Sequence, residues 1–508
     1  MFRLLKDVNT LAVVCSQWGD TGKGKIVDLF ADWADVIARG TGGANAGHTI
    51  EADGKTVIVH LVPSGVVRPD KMNVIGSGVA VDPRQLVKEL GELRKNGIDC
   101  AGRLMIAHNA KLVLPSQIAV DRMNESVGKK GKIGTTGRGM GPVYAQFADR
   151  SGLFVNDLLN RDTFARRLKQ NLIATRALIR GYDQPDTFKK IMHHESLAGG
   201  MFYSADQLFN EDAIIESYLN AANHFHEMIA DTDALMRGWF GKKNILLEGA
   251  QGLLLSVNYG TYPFVTSSDC SDQGLAKGVG LPHRAIDLTL AIVKAFYMTR
   301  VGEGPFPTEM GGHESEIWCG GQANELVEPA GFKTVRELEK AQFGNVRLDD
   351  PDEFKLGIAI RIEGVEYGVT TGRPRRDGWL DIPLLRYAKA VAGYTDTILT
   401  KLDVLDKCPV IKLCVSYTYD GPTYSIGQKI LQPGDILETA IPNAEVLEHC
   451  RPNYLEFPGW MKSTRDLTSE DDFPRELADI IKHTERATGT HPLVFSVGPD
   501  RKHTIFRQ

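Results

Sequence analysis

Apolar residues along the chain fall into two patterns, short unbroken runs and positions spaced three or four apart. Leu11–Cys15 is an apolar run of strand length. Ile26, Leu29, Phe30 and Trp33 then recur at helical spacing beyond a Gly-rich turn, which predicts strand, loop and helix. Val36–Ala38 and Thr56–Val62 are further strand candidates. In DPRQLVKELGELRKNG, Asp82 is placed to cap a helix, Pro83 to open it and Asn96-Gly97 to stop it. Towards the other end, FPRELADIIKHTERATG reads as a helix closed by Gly489, and LVFSVG as a strand. Strand–helix alternation at both ends predicts an α/β fold with a mostly parallel central sheet flanked by helices. Residues 161–240 read as mainly helical. By contrast, GGHESEIWCGGQANELVEPAGF and NVRLDDPDEF lose periodicity to glycine and charge, and are expected to form a surface excursion. No internal repeat or low-complexity linker divides the chain.

Composition narrows the class. With 508 residues, 42% hydrophobic and 24% charged, the chain can bury a large core. The net charge of −5 and the lack of a basic block argue against nucleic acid as the main partner. Seven scattered Cys without a C-x-x-C fit a reducing compartment rather than a disulfide framework or zinc knuckle. The apolar stretch in MFRLLKDVNTLAVVC lacks a small-residue cleavage site and is read as the first strand, not a signal peptide. No segment has the apolar length to span a bilayer. The expectation is a cytoplasmic enzyme that does not bind membranes.

Five segments carry chemistry. CSQWGDTGKGKIVDLF nearly satisfies G-x-x-x-x-G-K-[ST] through Gly19, Gly24 and Lys25, but Ile26 replaces the metal-binding hydroxyl and Asp20 adds an acid. Backbone N–H groups before a helix suit phosphate oxygens, with Lys23 and Lys25 adding charge. A carboxylate there is costly unless it meets a cation or a proton donor, so Asp20 is a candidate Mg²⁺ ligand, base, or both. GTGGANAGHTI offers close backbone approach and His48 as donor or proton shuttle. IGTTGRGMGP, with paired threonines and Arg138, suits a monophosphate. ILTKLDVLD places Lys401 and Asp403 after an apolar run, like the [NT]-K-x-D element whose Asp accepts from guanine N1–H and the 2-amino group. VTTGRPRRDGWLD gathers Arg373, Arg375 and Arg376, which fit carboxylate or phosphate. Two decoys are set aside. His193, His194 and Glu195 lack the second His of a zinc helix, and His224 and His226 are expected on two sides of a helix.

Together with HLVPSGV, EGAQGLLLSVNYGTYPFVTSS, RVGEGPFPTE and SVGPDR, these motifs, in this order from Gln17 to Arg501, resemble the adenylosuccinate synthetase family. The resemblance implies a single P-loop-related α/β domain over 1–508 and a homodimer, with extra length falling near 185–240 and 311–366. It implies GTP-dependent ligation of L-aspartate to IMP through a 6-phosphoryl-IMP intermediate, the first committed step towards AMP, with one Mg²⁺ per subunit. Asp20 would be the N1 base and, with the Gly47 carbonyl, a Mg²⁺ ligand; His48 would stabilise the phosphoryl and act as acid; Gln251 would hold the purine near O6. The GTP set comprises Gly19, Asp20, Thr21, Gly22, Lys23, Gly24, Lys25, Gly47, His48, Thr49, Arg375, Lys401, Leu402, Asp403, Ser496, Val497 and Gly498. IMP would meet Asp20, Lys23, Asn45, Ala46, Gly47, His48, Thr136, Gln251, Thr266 and Arg373, with Arg150 reaching across the dimer into the partner's site. Aspartate would meet Val369, Thr370, Thr371, Gly372, Arg373, Pro374 and Arg375.

Four positions depart from the family pattern. Thr21 replaces a Glu, which removes one negative charge beside the phosphates. Ala44 stands where many members have His, AQFADR follows Tyr144 in place of a more charged stretch, and Asp269 replaces an Asn. The excursion at 311–366 precedes the aspartate loop, where regulating closure and decorating the surface are the two readings, and decoration is expected, because long surface insertions are tolerated at little entropic cost. Two other readings compete. A sibling ligase acting on a 2-aminopurine nucleotide (GMP or dGMP) is disfavoured by Asp20, which a 2-amino group would crowd. A catalytically decayed GTP-binding protein is disfavoured by the retention of Asp20, His48, Gln251 and the Arg loop.

Overall fold

The computed structural model describes residues 5–52, 55–127, 133–191, 209–368 and 372–507. Its centre is a ten-stranded sheet. The strand order is Thr504–Phe506, His491–Ser496, Asp396–Thr400, Leu288–Lys294, Thr10–Cys15, Ile245–Glu248, Val36–Arg39, Met72–Ile75, Leu104–Ala107 and Ile229–Ala230. Every pairing is parallel except that of the edge strand Thr504–Phe506. Thr10–Cys15 sits mid-sheet and is buried on both faces, which accounts for its unbroken apolar run. Leu11 and Val13 pack with Ile26, Val27 and Phe30 of the helix Lys23–Ala31. Ala12 and Val14 face Leu275, Ala388 and Tyr394 on the other side. Trp33 lies just past that helix, not in it, yet packs in the same cluster.

The helix Pro83–Lys95 starts and stops as its sequence predicts, with the Asp82 side chain accepting from Arg84 N. So does Arg475–Thr488, closed by Gly489 in the left-handed region. Thr56–Val62 is a strand only to Val59, within Lys55–Val59, and it pairs with His48–Ala52 in a separate hairpin. Pairing stops because the buried Glu89 carboxylate accepts the next backbone N–H groups, those of His60, Leu61 and Val62. A second, five-stranded sheet built on Tyr297–Arg300, Arg376–Asp381 and Val410–Tyr419 encloses the largest apolar cluster.

Among the described residues, 161–240 is mainly helical, with Arg161–Gly181 and Glu211–Ala222 packed through Phe164 and Tyr218. His224 and His226 lie beyond the end of the second helix, both exposed, so they do not share a helix. His193, His194 and Glu195 fall outside the described residues. No group of three metal-ligating side chains, and no helix long and apolar enough to cross a membrane, occurs among those described.

The stretch at 311–366 corrects the expectation of an aperiodic surface excursion. It folds into the helices Gly312–Ile317, Ala323–Val327, Val335–Phe343 and Glu353–Gly364. These enclose their own core of Trp318, Ala323, Val335, Leu338, Phe354 and Ile358. Edge-on contacts of Trp318 with Phe343 and Phe354, at 5.6 and 6.3 Å, fix the helices against one another.

Candidate active site

Three of the five predicted segments leave the carboxyl ends of parallel strands of the central sheet, Thr10–Cys15, Val36–Arg39 and Asp396–Thr400, where ligands of open α/β sheets bind. The turn after Cys15 takes the left-handed region at Gly19 (φ 92°), Asp20 (φ 51°) and Gly22 (φ 79°). Two of these are glycines, while Asp20 holds a conformation uncommon for a residue with a side chain. The helix Lys23–Ala31 follows at once, with its N-terminus open to the pocket. Gly24 is required by packing, since a Cβ there would lie 2.6 Å from the Thr49 carbonyl oxygen.

One pocket brings together Gly19 to Gly24, Asn45 to Thr49, Thr136, Gln251, Arg373 to Arg375, and Lys401. Asp20 forms an ion pair with Arg375 across a sequence separation of 355. Burial would raise the Asp20 carboxyl, but Arg375, Lys294 and Lys23 outweigh it and hold the pKa at about 2. Lys23 Nζ donates to the Gln251 carbonyl at 2.6 Å, tying the turn to the end of Ile245–Glu248. Both polar atoms of the Gln251 side-chain amide are buried without a partner, which marks a group shaped for something that enters the pocket. Asn45 Oδ1 is likewise buried and unpartnered, while its Nδ2 donates to Thr266 Oγ1 at 3.3 Å.

His48 opens the hairpin strand and meets Glu248, which ends a central strand. Ser64 donates to the same carboxylate through both Oγ and backbone N, each at 2.7 Å. Burial lowers the imidazole pKa despite Glu248. Burial would raise the Glu248 carboxyl, but His48, Arg39 and the Ser64 N–H bring it below its usual range. A carboxylate only accepts, so Nδ1 carries the hydrogen and Nε2 serves the pocket.

The remaining predicted residues are arranged around this centre. Lys25 turns away from the Gly19–Gly22 turn, and its ammonium donates to Ser496 Oγ, Gly498 O and His503 O at 2.8, 2.8 and 2.9 Å. It therefore braces the segment predicted for guanine, with Val497 fully buried beneath. Lys401, at φ 60°, donates to Glu366 and to the Gly364 carbonyl. Leu402 is buried in the large apolar cluster, and Asp403 pairs with Arg465 at 2.9 Å. Gly372 is exposed at φ 66°, and Val369, Thr370 and Thr371 lie outside the described residues. Arg150 is exposed at φ 70°, away from the pocket of its own chain.

Three charged groups in and behind the pocket wall were not singled out by the motif reading, and only Glu366 lines the pocket itself. Glu248 is one. Lys294 ends the apolar run LTLAIVK, is fully buried, and donates to Glu366 at 2.6 Å; burial brings its pKa down to about 8. Glu366 joins Lys294, Lys401 and Tyr297. A charged residue closing a buried strand was the available signal for Glu248 and Lys294.

The fold and pocket thus define a P-loop-related α/β enzyme with an acid in the glycine-rich turn that opens its first helix. The family described as adenylosuccinate synthetase matches residues 12–505. Adenylosuccinate synthetase of Heliobacterium modesticaldum is 38% identical over 500 residues, covering 98% of this chain and 99% of the relative. That of Listeria monocytogenes is 37% identical over 499 residues, with 98% of each chain covered. The solved structure of fully ligated adenylosuccinate synthetase from Plasmodium falciparum superposes with a TM-score of 0.76 at 29% identity, covering 98% of this chain and all of that one. A cyanophage S-2L succinoaminodeoxyadenylate synthetase bound to dGMP and dATP shares the fold at 16% identity and a TM-score of 0.52. The chain belongs to the adenylosuccinate synthetase family, and is a ligase that joins aspartate to IMP with GTP as co-substrate.

Proposed function

We propose that this one pocket holds all three substrates and that Asp20, His48 and Gln251 carry the chemistry. The observation that supports the reading best is a carboxylate set inside a phosphate turn, facing an unpartnered carboxamide and a Glu-held imidazole. The 6-oxo group of IMP is a poor leaving group. Asp20 takes the N1 proton, so that O6 becomes the nucleophile towards the γ-phosphoryl of GTP. His48, steadied by Glu248, offers Nε2 to the transferring phosphoryl, where charge stabilisation is the main need. The Gln251 amide orients the purine edge. The aspartate amine then attacks C6 and phosphate departs.

Arg375 neutralises Asp20 in this structure, and a carboxylate held at about 2 is a weak base. Arg375 must therefore leave Asp20 before proton transfer, which its proposed part in binding aspartate and GTP supplies. The donor set also fits Mg²⁺: Asp20 already meets a cation in Arg375, and the Gly47 backbone lines the same pocket as the phosphate turn. When bound, Mg²⁺ would neutralise phosphate charge. Thr21, whose Oγ1 is buried without a partner and whose carbonyl accepts from Thr400, supplies no such charge. The reading extends to a cytoplasmic homodimer in which Arg150, unused by its own pocket, meets IMP bound to the partner subunit.

The test is purified protein with GTP, Mg²⁺, IMP and aspartate, followed by the absorbance of adenylosuccinate. Parallel runs with GMP or dGMP separate the 2-aminopurine reading, which wins if those substrates react and IMP does not. Asp20→Asn should lower kcat by at least about a hundredfold while leaving the fold intact, because an amide cannot take the N1 proton. Near-normal turnover would remove Asp20 as base.

A further inference from the structure

The helical excursion buries a charge pair that the ligation chemistry does not use. Glu339, on Val335–Phe343, and Arg361, on Glu353–Gly364, are essentially inaccessible to solvent. Arg361 Nε donates to both Glu339 oxygens, at 2.9 and 3.1 Å. A buried ion pair gains little over well-packed apolar residues, so its presence inside a small apolar core calls for a second purpose. Trp318 Nε1 donates to Glu339 at 2.7 Å and holds the acid within the excursion.

Arg361 Nη1 also donates to Cys319 Sγ at 3.5 Å within the excursion, and two further bonds of the pair leave it. Tyr367 OH donates to Glu339 Oε2 at 2.5 Å. Arg361 Nη1 donates to the Arg375 carbonyl oxygen. Tyr367 and Arg375 lie on the two sides of one hairpin stem, closed where Arg375 N donates to Glu366 O at 2.9 Å and Gly368 N to Arg373 O at 2.8 Å. The far side of the stem is held by Glu366, through Lys294 and Lys401. Asp377 lies 3.6 Å from Arg361, but burial pushes its carboxyl far above the usual range, so Glu339 is the charge that balances Arg361. The stem is thus gripped from the sheet on one side and from the excursion on the other.

We infer that Glu339 and Arg361 are positioning residues for the substrate amino acid: the excursion sets how Arg373 and Arg375 enter the pocket, and so governs affinity for a small dicarboxylate. The inference rests on the assignment of these two arginines to aspartate, and it replaces the expectation that the excursion is decoration.

Three single substitutions and one double variant test it. Tyr367→Phe removes one hydroxyl and leaves every bond within the excursion, so its folding is not at risk. It should raise KM for aspartate about five- to tenfold, with KM for IMP and GTP within about twofold and kcat nearly kept. Glu339→Gln should raise KM for aspartate at least about tenfold, and the double variant should be no worse than Glu339→Gln alone, because both act through one contact. Glu337→Ala breaks the capping box of the same helix without touching the stem. It should lower the unfolding temperature and leave KM for aspartate unchanged. A rise in all three KM values together, an equal rise in Glu337→Ala, or an unchanged KM for aspartate in Tyr367→Phe would overturn the inference while leaving the ligase assignment intact. A wild-type protein that makes no adenylosuccinate would defeat both.

Discussion

Asp20 lines the pocket and Glu248 is buried behind its His48, yet only Asp20 stands out in the sequence. Asp20 breaks a known pattern, so its oddity is visible one residue at a time. Glu248 ends an ordinary apolar run, and its meaning appears only when strand register brings it level with Val13 and Arg39 and against His48, 200 residues away. Its role can be tested by charge alone. Glu248→Gln keeps the shape but no longer favours a charged imidazole as phosphoryl charge develops. It should lower kcat by about 10²-fold or more, as when the acid that fixes a catalytic imidazole is replaced by its amide. KM for GTP should hardly move. A kcat within twofold of wild type in steady-state assays would remove Glu248 from the mechanism. The Arg375–Asp20 pair was equally hidden, because both residues are read from the sequence as meeting GTP and not each other.

Elements were legible where one force decides them. Thr10–Cys15, Pro83–Lys95 and Arg475–Thr488 follow directly from apolar runs, caps and stops. The excursion was misread because its helices are short and glycine interrupts them, although Thr334-x-x-Glu337 is a capping box in plain view. Thr56–Val62 ended early for a tertiary reason, the claim of Glu89 on its backbone. Another junction makes a prediction about stability. Asp381 closes Arg376–Asp381 and caps Ile382–Ala392, accepting from Leu384 N at 3.1 Å and from Tyr417 OH at 2.6 Å. Burial pushes its carboxyl up to about 7 from an ordinary 3.8. The folded state therefore holds this proton more tightly than the unfolded chain. Its contribution is fullest below about pH 4 and is lost as pH rises towards 7, by at most about 4 kcal/mol. Asp381→Asn keeps the cap and cannot ionise. Urea unfolding at pH 5 and pH 7 should show a smaller loss of stability in the variant than in the wild type. Equal losses would mean that Asp381 is already ionised at pH 5.

For the whole molecule, the open question is whether one chain completes its own pocket. Arg150→Leu should raise KM for IMP by roughly tenfold or more, the loss of a charged hydrogen bond, with little change for GTP. Mixing it with Asp20→Asn, once subunit exchange is shown with tagged chains, should restore activity at low IMP beyond the sum of the two preparations. With exchange shown and no gain, Arg150 acts within its own subunit and the shared site is abandoned. The bracing of Lys25 by Ser496, Gly498 and His503 has a further consequence, felt on the ribosome. The phosphate turn is made early, but its partners follow 471 to 478 residues later. At about 5–20 residues per second, that is roughly half a minute to a minute and a half of synthesis. For the first part of that time Thr10–Cys15 also waits for Ile245–Glu248 and Leu288–Lys294 to flank it. A growing chain thus first carries an unpaired apolar strand and then, until translation is nearly done, lacks the segment that braces Lys25, so a ligand held by the finished site could stabilise the chain only late.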